Sequence, residues 1–328
     1  MIMVRAPFRI PLGGGGTDLP SYYTKFGGRL ISVSINKYIY TTANRPVSDK
    51  LIRLKYSDSE TVDSVNEVNH DLAKEALKLT GVTKNVELAW VADLPHGTGM
   101  GSSGSFLVST LKALYDLKGE VVSSRRLAED ACKIEIEILK KPVGKQDQYM
   151  AAFGGLTRME INKKGQVEVI KPDVSPHALR DLENSFVLFF TGISRASGKI
   201  LSKQNRSTTK NDSQVINNLH FIKELGDEIF KALENGKIEQ FGKLLDVHWQ
   251  YKRKLSKAIS SVKIDNWYEQ AKDAGALGGK IIGAGGGGFL LFCCPGDKSK
   301  LRKSMSKAGL TEMLIHFDNE GVKTLVNF

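Results

Sequence analysis

The alternation of apolar and polar residues predicts β-strands in the first part of the chain. Residues 31–35 alternate with a period of two, residues 51–56 do so in part, and residues 86–91 form a further candidate strand. A period of two directs successive side chains to opposite faces, which is typical of half-buried strands. Residues 1–60 are therefore predicted to be mostly strands and turns, and residues 64–80 to form a helix.

Apolar residues at steps of three and four predict helices further along. One apolar face runs through residues 124–140 and ends before Pro142, and an apolar helix follows a Gly/Ser-rich segment at 95–105. In the second half, we expect a strand at 186–190 and another over 285–294. Two amphipathic helices are predicted to meet at a break formed by Asn235 and Gly236.

Chain length and element order together indicate an α+β fold in two lobes. The 328 residues leave room for two domains, and the strands and helices do not alternate in a regular βαβ rhythm. The stretch 171–177, which contains proline and histidine, is a candidate connection between domains. We therefore expect an N-terminal domain at 1–180 and a C-terminal domain at 181–328.

Composition narrows the class of protein. Hydrophobic residues make up 41% and charged residues 25%, a balance typical of a globular protein. The longest apolar runs have the length of a strand, so no membrane association is predicted, and no secretory signal is visible at the start. Cys132, Cys293 and Cys294 cannot build a disulfide framework. These features favour a cytoplasmic enzyme with reduced thiols.

The charge of the chain favours anionic partners. Lys and Arg number 47 against 36 Asp and Glu, giving a formal net charge of +11. The basic residues are spread along the chain, with one dense run at 298–307, and no nucleic-acid-binding motif accompanies them. Nucleic acid is therefore not expected as a partner, phosphorylated small molecules remain candidates, and most of these cations are expected to form a solvated surface.

Three glycine clusters, at 13–16, 97–104 and 283–288, are the most informative local feature. Bare backbone lets amide groups approach an anion closely, and a helix that begins there adds its positive dipole end. The middle cluster contains GMGSSG at 99–104, which matches GxGxxG, but a second helix follows where a dinucleotide-binding unit needs a strand. The pattern favours a phosphate-binding loop whose serine suits Mg²⁺. A simple serine N-cap is the structural alternative.

Candidate acid, base and anion-binding residues lie near these clusters. Glu135 borders an apolar helical face, as either a solvated boundary residue or a metal ligand. Asp147 is either a helix N-cap or a catalytic base, kept ionised by Lys145 or by an arginine from elsewhere. Arg9 precedes the first cluster and could serve phosphate or carboxylate. Asp18 follows that cluster and could either accept hydrogen bonds from sugar hydroxyls or cap the following turn. The segment 191–199 is either an anion pocket or a charged helix start.

In their order along the chain, these segments resemble the GHMP kinase superfamily, named for galactokinase, homoserine kinase, mevalonate kinase and phosphomevalonate kinase. The matching motifs are 6–18, 95–105, 142–148 and 283–289. The resemblance implies a two-lobed α+β fold with the active site in the inter-lobe cleft, Mg²⁺ as the cofactor and ATP as co-substrate. It implies that the ATP phosphates are wrapped by Gly97, Thr98, Gly99, Met100, Gly101, Ser102, Ser103, Gly104 and Ser105.

The same resemblance implies roles for the other motif residues. Ser103 and Glu135 would hold Mg²⁺, Asp147 would be the catalytic base, and Arg9 would stabilise its carboxylate. The acceptor, a sugar or sugar phosphate, is expected to contact Gly14, Gly15, Gly16, Thr17, Asp18, Thr191, Gly192, Arg195, Gly285, Gly286 and Gly287.

Within the superfamily, the stretch GGGGTDLPSYY is most similar to the D-glycero-D-manno-heptose 7-phosphate kinases, with the kinase part of fucokinases next. Galactokinases have a Glu-His pair where this chain has Gly15 and Gly16, which enlarges the acceptor pocket. Arg195, Ser197 and Lys199 are candidates for binding a phosphate already on the sugar. The alternatives are a fucose- or other hexose-1-kinase, a non-catalytic ATP or sugar sensor, and a dehydrogenase. A homodimer is compatible with each of these.

Overall fold

The computed structural model describes residues 1–194 and 197–328, and its strands form one sheet of eight and one of four. The strands are β1 (Ile2–Gly13), β2 (Gly28–Asn44), β3 (Ile52–Lys55), β4 (Ser59–Val62), β5 (Val86–Ala92), β6 (Leu156–Ile161), β7 (Val167–Ile170), β8 (Phe186–Phe190), β9 (Gly278–Ile281), β10 (Phe289–Cys293), β11 (Thr311–Met313) and β12 (Lys323–Asn327).

The described helices pack around and between these sheets. They are α1 (Pro20–Phe26), α2 (Asp71–Thr80), α3 (Ser102–Leu117), α4 (Ser124–Cys132), α5 (Gln146–Phe153), α6 (Pro176–Ser185), α7 (Ser197–Thr209), α8 (Ser213–Glu234), α9 (Ile238–Lys252), α10 (Val262–Asp273) and α11 (Ser299–Lys307). Short 3₁₀ segments occupy Val65–Glu67 and Arg253–Leu255. Among residues 1–194 and 197–328, no helix is long and apolar enough to cross a bilayer.

The larger sheet is built on the pairing of β1 with β2. Its strand order is β12-β1-β2-β5-β3-β4, and β6 joins β2 and β7. β3 pairs with β5 in parallel, and the other pairings described in both sheets are antiparallel. Antiparallel neighbours need no crossover helix, which explains the irregular order of strands and helices in the sequence. The α+β prediction is confirmed.

The smaller sheet, β11-β8-β10-β9, lies in the C-terminal half, with helices α10 and α11 beside it. The last strand nevertheless returns to the N-terminal sheet, where Ile2 pairs with Asn327. The expected boundary at residue 180 falls inside α6, and the expected connection at 171–177 runs into the start of that helix. The N-terminal lobe is therefore completed by the end of the chain.

Most of the predicted elements are present, with informative differences. The helix expected over 124–140 is continuous, but its last part, Lys133–Ile138, is a π-helix in which the amide of Leu139 donates to the carbonyl of Ile134 at 2.9 Å. Such wider turns are often found at functional sites. The strand expected over 285–294 begins only at Phe289, because Gly285 to Gly288 all have positive φ and form a loop.

Candidate active site

A cavity of about 500 Å³ opens between the two lobes, and residues from both line it. The N-terminal lobe contributes the Gly-rich loop before α3, the π-helix and the start of α5, and the C-terminal lobe contributes α7, α9, β9 and the residues after it. The cleft predicted from the sequence is therefore present. The motif residues that meet in it come from segments far apart in the chain.

Arg9 and Asp147 form an ion pair in this cavity. The Arg9 Nε donates to Asp147 Oδ1 at 2.8 Å, and its Nη2 lies 2.5 Å from the same oxygen. Its Nη1 donates to the carbonyl of Gly99 at 2.7 Å, so one guanidinium joins the carboxylate to the Gly-rich loop. Lys145, the alternative partner, instead donates to the Gly165 carbonyl at 2.5 Å. The arginine is thus the cation that pairs with this carboxylate and orients it.

The interpretation of Asp147 as an N-cap is wrong. Helix α5 begins at Gln146, and Lys145 occupies the cap position without a side-chain hydrogen bond to the helix. Asp147 therefore lies in the first turn, with its side chain 27% exposed towards the cavity. Its carboxylate is held by Arg9 and is not used to cap the helix.

Helix α3 begins at the Gly-rich loop and packs directly against Asp147. A Cβ at Gly104 would lie 2.7 Å from the Asp147 Cβ and 2.8 Å from its backbone carbonyl carbon, so a larger residue would displace the carboxylate. Gly101 is the N-cap of α3, with φ of 87° and no side-chain cap bond. The serine N-cap alternative is wrong, and Ser102 and Ser103 instead lie in the first turn of the helix, where anions are favoured.

The nine loop residues expected to wrap ATP divide into two groups. Gly97, Gly99, Gly101, Ser102 and Ser103 line the cavity. The other four are directed into the protein. Thr98 Oγ1 donates to the Pro95 carbonyl at 3.1 Å, Ser105 Oγ donates to the Pro7 carbonyl at 2.8 Å, Met100 is buried in the core, and Gly104 packs on Asp147. Their side chains shape the loop and do not face the cavity.

Glu135 is fully buried beside the loop. Its Oε2 accepts a hydrogen bond from Gln148 Nε2 at 2.5 Å, whereas its Oε1 has no partner among the described residues. Burial raises the pKa of this carboxyl to about 7, and the neighbouring Ser103 hydroxyl and Gln148 amide oppose the rise. The π-helix turns this side chain inward, so the solvated-boundary alternative is wrong.

The pair Ser103 and Glu135 fits a Mg²⁺ ion. The unpartnered Oε1 is a buried oxygen that a cation would satisfy, and hydroxyl and carboxylate oxygens are the ligands that Mg²⁺ prefers. In the part of the chain that the structure describes, no group of three or more His, Cys, Asp or Glu side chains could hold a metal. A site completed by substrate phosphates needs only one or two protein ligands.

Asp18 is the second carboxylate of the cavity. It is 7% exposed, and its Oδ2 accepts from the backbone amide of Gln146 at 3.2 Å. Burial, and then the charge of Asp147, raises the pKa of Asp18. A Cβ at Gly144 would lie 1.8 Å from the same oxygen, so this glycine is needed for the close approach. Asp18 and Asp147 therefore lie on one wall of the cavity, ready to accept hydrogen bonds.

Two family models match this chain: the GHMP kinases N terminal domain over residues 66–155 and the GHMP kinases C terminal model over 229–310. The chain belongs to the GHMP kinase family. It is therefore a phosphotransferase, an ATP-dependent sugar kinase. A D-glycero-alpha-D-manno-heptose 7-phosphate kinase of Campylobacter jejuni is 29% identical over 335 residues, covering 98% of each chain. A galactokinase of Pyrococcus furiosus is 27% identical, covering 96% of this chain and 94% of that protein.

Solved structures agree with this assignment. The crystal structure of a D-glycero-D-manno-heptose 1-phosphate kinase from Bacteroides thetaiotaomicron superposes with a TM-score of 0.83, at 25% identity, over 100% of both chains. The match to the whole chain includes both lobes and the C-terminal strand β12. The α+β, two-lobed GHMP kinase fold is confirmed.

Several expected acceptor contacts of this GHMP kinase do not line the cavity. Thr17 is buried, and its hydroxyl donates to the carbonyls of Gly14 and Arg29 at 2.8 and 2.9 Å. The hydroxyl of Thr191 donates to the Gly288 carbonyl at 2.8 Å. Both hydroxyls therefore stabilise turns, and Gly14 itself lies against the Arg29 backbone, leaving no open face. Gly15, Gly16 and Asp18 are the first-cluster residues that reach the cavity.

The third glycine cluster also presents different residues from those expected. Gly285 packs on Ile259 and Gly287 on Ile193, and the amide of Gly286 donates to the Ile259 carbonyl at 2.7 Å. Gly283 and Ala284 line the cavity in their place. Gly192 is exposed, with no described residue within 4 Å of where its Cβ would be. The expected contact Arg195 lies outside the described residues, as does the side chain of Ser197.

The structure adds cavity residues of this kinase that the sequence patterns did not identify. His70 lines the cavity, caps α2 and stacks on Phe106 at a centroid distance of 4.7 Å. At the C-terminal side, the cavity is lined by Gln204, His248, Lys252 and Lys280. His248 and Lys252 are one helical turn apart on α9, which is the signal in the sequence that could have linked them.

Proposed function

We propose that this protein transfers the γ-phosphate of ATP to the anomeric hydroxyl of D-glycero-D-manno-heptose 7-phosphate, giving the 1,7-bisphosphate. The observation that supports it most is the Asp147 carboxylate, which is fixed by Arg9 and directed into the cavity between the start of α3 and Asp18. A carboxylate in this position can accept a proton from a hydroxyl that attacks a phosphoryl group bound at the helix N-terminus.

In the proposed reaction, the acceptor hydroxyl loses its proton to Asp147 as its oxygen bonds to the γ-phosphorus. The bond between that phosphorus and the bridging oxygen of ADP breaks, and ADP leaves. Arg9 pairs with the carboxylate and, through its hydrogen bond to the Gly99 carbonyl, holds it against the loop. The amides at the start of α3 favour the negative charge of the transferring group.

Ser103 and Glu135 are the residues proposed to hold Mg²⁺. When bound, the ion offsets the charge of the phosphate oxygens. Glu135 must be ionised to act as a ligand, and its pKa of about 7 means that protons compete with the metal at neutral pH. Gln148 positions the carboxylate by donating to its other oxygen.

The proposed acceptor has to fill a wide pocket. Asp18 can accept hydrogen bonds from sugar hydroxyls, and Gly15 has open space around the position of a Cβ. A sugar longer than a hexose would use this space, as the names of the heptose phosphate kinases suggest. Those two names place the existing phosphate on different carbons, at C7 and at C1, so the carbon that receives the new phosphate has to be measured.

The experiment that tests this proposal is ADP release with Mg-ATP across a panel of acceptors, with ³¹P NMR of each product. The panel holds D-glycero-D-manno-heptose 7-phosphate and 1-phosphate, mannose 6-phosphate, and free mannose, fucose and galactose. Turnover on the 7-phosphate, with a new anomeric phosphate signal, is expected. Turnover on free fucose alone would replace the proposal with the fucokinase-like alternative, and tight ATP binding without turnover would favour the sensor. The cytoplasmic location and the homodimer remain predictions.

A further inference from the structure

The C-terminal lobe forms a part of the cavity that adjoins the first glycine cluster. There it is lined by Gln204 of α7, His248 and Lys252 of α9, and Lys280 of β9. The Gln204 amide nitrogen lies only 2.7 Å from where a Gly16 Cβ would be, so these side chains begin where the first glycine cluster ends. The reaction proposed above uses none of these four residues.

His248 is the least explained side chain in this group. It is 1% exposed, and neither ring nitrogen has a hydrogen-bond partner among the described residues. The amide nitrogen of Gln204, which is 5% exposed, also has none in that part of the chain. Buried polar groups are nearly always paired, so two unsatisfied side chains on one cavity wall point to a ligand that satisfies them.

The charge of the group indicates what that ligand is. Lys280 is 1% exposed, and its ammonium donates to the Leu12 carbonyl at 3.0 Å, leaving further N–H groups for a ligand. The Lys252 ammonium donates to the carbonyls of Ile281 and Gly283 at 2.7 and 2.6 Å, which hold its charge at this wall. The charges of Lys280 and Lys252 both act on His248, and those of Lys252 and Arg9 act on Lys280. Burial and these like charges lower the pKa values of His248 and Lys280 well below their usual values. An anion bound among them would remove this repulsion.

We propose that His248, Lys252 and Lys280, together with Gln204, bind the phosphate that the acceptor already carries. This inference rests on the proposed function, because it places the reacting hydroxyl at Asp147 and the phosphorylated end of the sugar beyond Gly15 and Gly16. This site differs from the one expected from the sequence, in which the phosphate on the sugar was bound by Arg195, Ser197 and Lys199. The side chain of Lys199 is exposed in the structure. The wide pocket would then accommodate a phosphomonoester as well as the sugar.

The first arm of the test is kinetic. His248→Gln and Lys252→Met are compared with Lys243→Met, a control that removes an exposed lysine from the same helix. For each protein, kcat/KM is measured with D-glycero-D-manno-heptose 7-phosphate and with the unphosphorylated heptose. The ratio of kcat/KM for the heptose 7-phosphate to kcat/KM for the unphosphorylated heptose is expected to fall by about 10- to 100-fold in both variants. This is the usual effect of losing a charge-assisted hydrogen bond, and it should arise mainly from a higher KM for the phosphorylated sugar. The control should keep the wild-type ratio.

The second arm measures binding without turnover. Mannose 6-phosphate and mannose are titrated calorimetrically into the protein with the nucleotide site filled by Mg-ADP, in two buffers with different ionisation enthalpies. A phosphate dianion raises the pKa values of the groups it contacts, so the phosphorylated sugar should bind with net uptake of protons near pH 7. The groups facing the phosphate are His248, Lys252 and Lys280, with Arg9 beyond them. His248→Gln should reduce the uptake, and Lys243→Met should not.

The two arms separate failure of the site from failure of the proposed function. If the heptose 7-phosphate is turned over but both variants lose activity equally on the two acceptors, the cluster serves the transferring phosphoryl group and the inference is wrong. If proton-linked binding of the phosphorylated sugar is lost in His248→Gln although no heptose is phosphorylated, the site stands and the proposed acceptor is wrong. Binding of mannose 6-phosphate that is unchanged in both variants would also overturn the inference.

Discussion

The guanidinium of Arg9, on strand β1, holds the carboxylate of Asp147, on helix α5, through contacts of 2.8 and 2.5 Å across 138 residues of sequence. The same arginine donates to the Gly99 carbonyl. One side chain therefore connects strand β1, the Gly-rich loop before α3 and the proposed base. This link makes the position of the base sensitive to the first motif of the chain as well as to its own loop.

Replacement of Asp147 by asparagine is expected to reduce kcat by about 10²- to 10⁴-fold, because the amide cannot accept the hydroxyl proton. ATP affinity should change little, since the loop amides and not this side chain are proposed to bind the phosphates. Steady-state kinetics and a separate nucleotide-binding titration check both parts. A variant with near-normal turnover would remove Asp147 from the mechanism.

The sequence could name candidate transfer residues because Ser103 and Asp147 lie in contiguous motifs. Glu135 lies outside these motifs and is named through the resemblance to the GHMP superfamily, and the structure brings all three to one cavity. The residue pattern leaves Lys145 or an arginine as partner of Asp147, and only the resemblance implies Arg9, since the pairing depends on how β1 lies against α5. Lys145, although nearer in sequence, is directed by the fold to Gly165.

Other parts of the site could not be predicted, because several hydroxyls that were expected to contact ATP or the acceptor instead form hydrogen bonds with backbone carbonyls. The hydroxyls of Thr17, Ser105 and Thr191 all donate to carbonyls and so do not reach the cavity. His248 and Lys280 come from an amphipathic helix and a short strand whose patterns indicate only burial. Their meeting at the cavity wall is a consequence of tertiary packing alone.

Substitution of Gly104 by alanine is expected to lower both stability and kcat. The added methyl group would lie 2.7–2.8 Å from Asp147 and from the amide of Gln148, so helix α3 or the start of α5 has to move. Overpacking of this kind costs about 1–3 kcal/mol of unfolding free energy. Thermal unfolding and kinetics measure the two effects.

Gly198→Ala is the matched control for stability, because that helical glycine has no atom of the described residues within 4 Å of a Cβ. It should leave the melting temperature unchanged or raise it slightly. Equal melting temperatures for Gly104→Ala and wild type would contradict the close packing of α3 against the start of α5.

Replacement of Glu135 by glutamine tests the proposed metal ligand. The pKa of this carboxyl is about 7 in the folded protein against a usual 4.5, so the folded state binds more protons between these values. Without metal, the contribution of Glu135 to stability is therefore fully present below about pH 4.5 and is lost as pH rises through 7. Glu135→Gln should flatten this loss and, in kinetics, raise the Mg²⁺ concentration needed for half-maximal activity.

The readout is the melting temperature of wild type and variant from pH 5 to pH 8 in EDTA, followed by a Mg²⁺ titration of activity. The difference between the two melting temperatures should grow in favour of the variant as pH rises. An unchanged magnesium requirement would rule out Glu135 as a ligand, whereas an unchanged pH dependence would mean that the carboxylate is not buried as the structure has it.

The open space beside Gly15 leads to a prediction about acceptor size. Among residues 1–194 and 197–328, no atom lies within 4 Å of a Cβ at Gly15, so alanine fits and should leave both substrates' KM values within about twofold. Glutamate at the same position would extend into the cavity and place a negative charge beside Asp18, which is already buried near Asp147. Gly15→Glu should therefore raise the KM for a phosphorylated heptose at least tenfold, by both bulk and repulsion, without changing the KM for ATP.

Initial-rate kinetics of the two variants with varied acceptor, and then with varied ATP, make the comparison. If Gly15→Glu lost ATP affinity instead, the glycine cluster would border the nucleotide and the acceptor would have to lie elsewhere in the cavity.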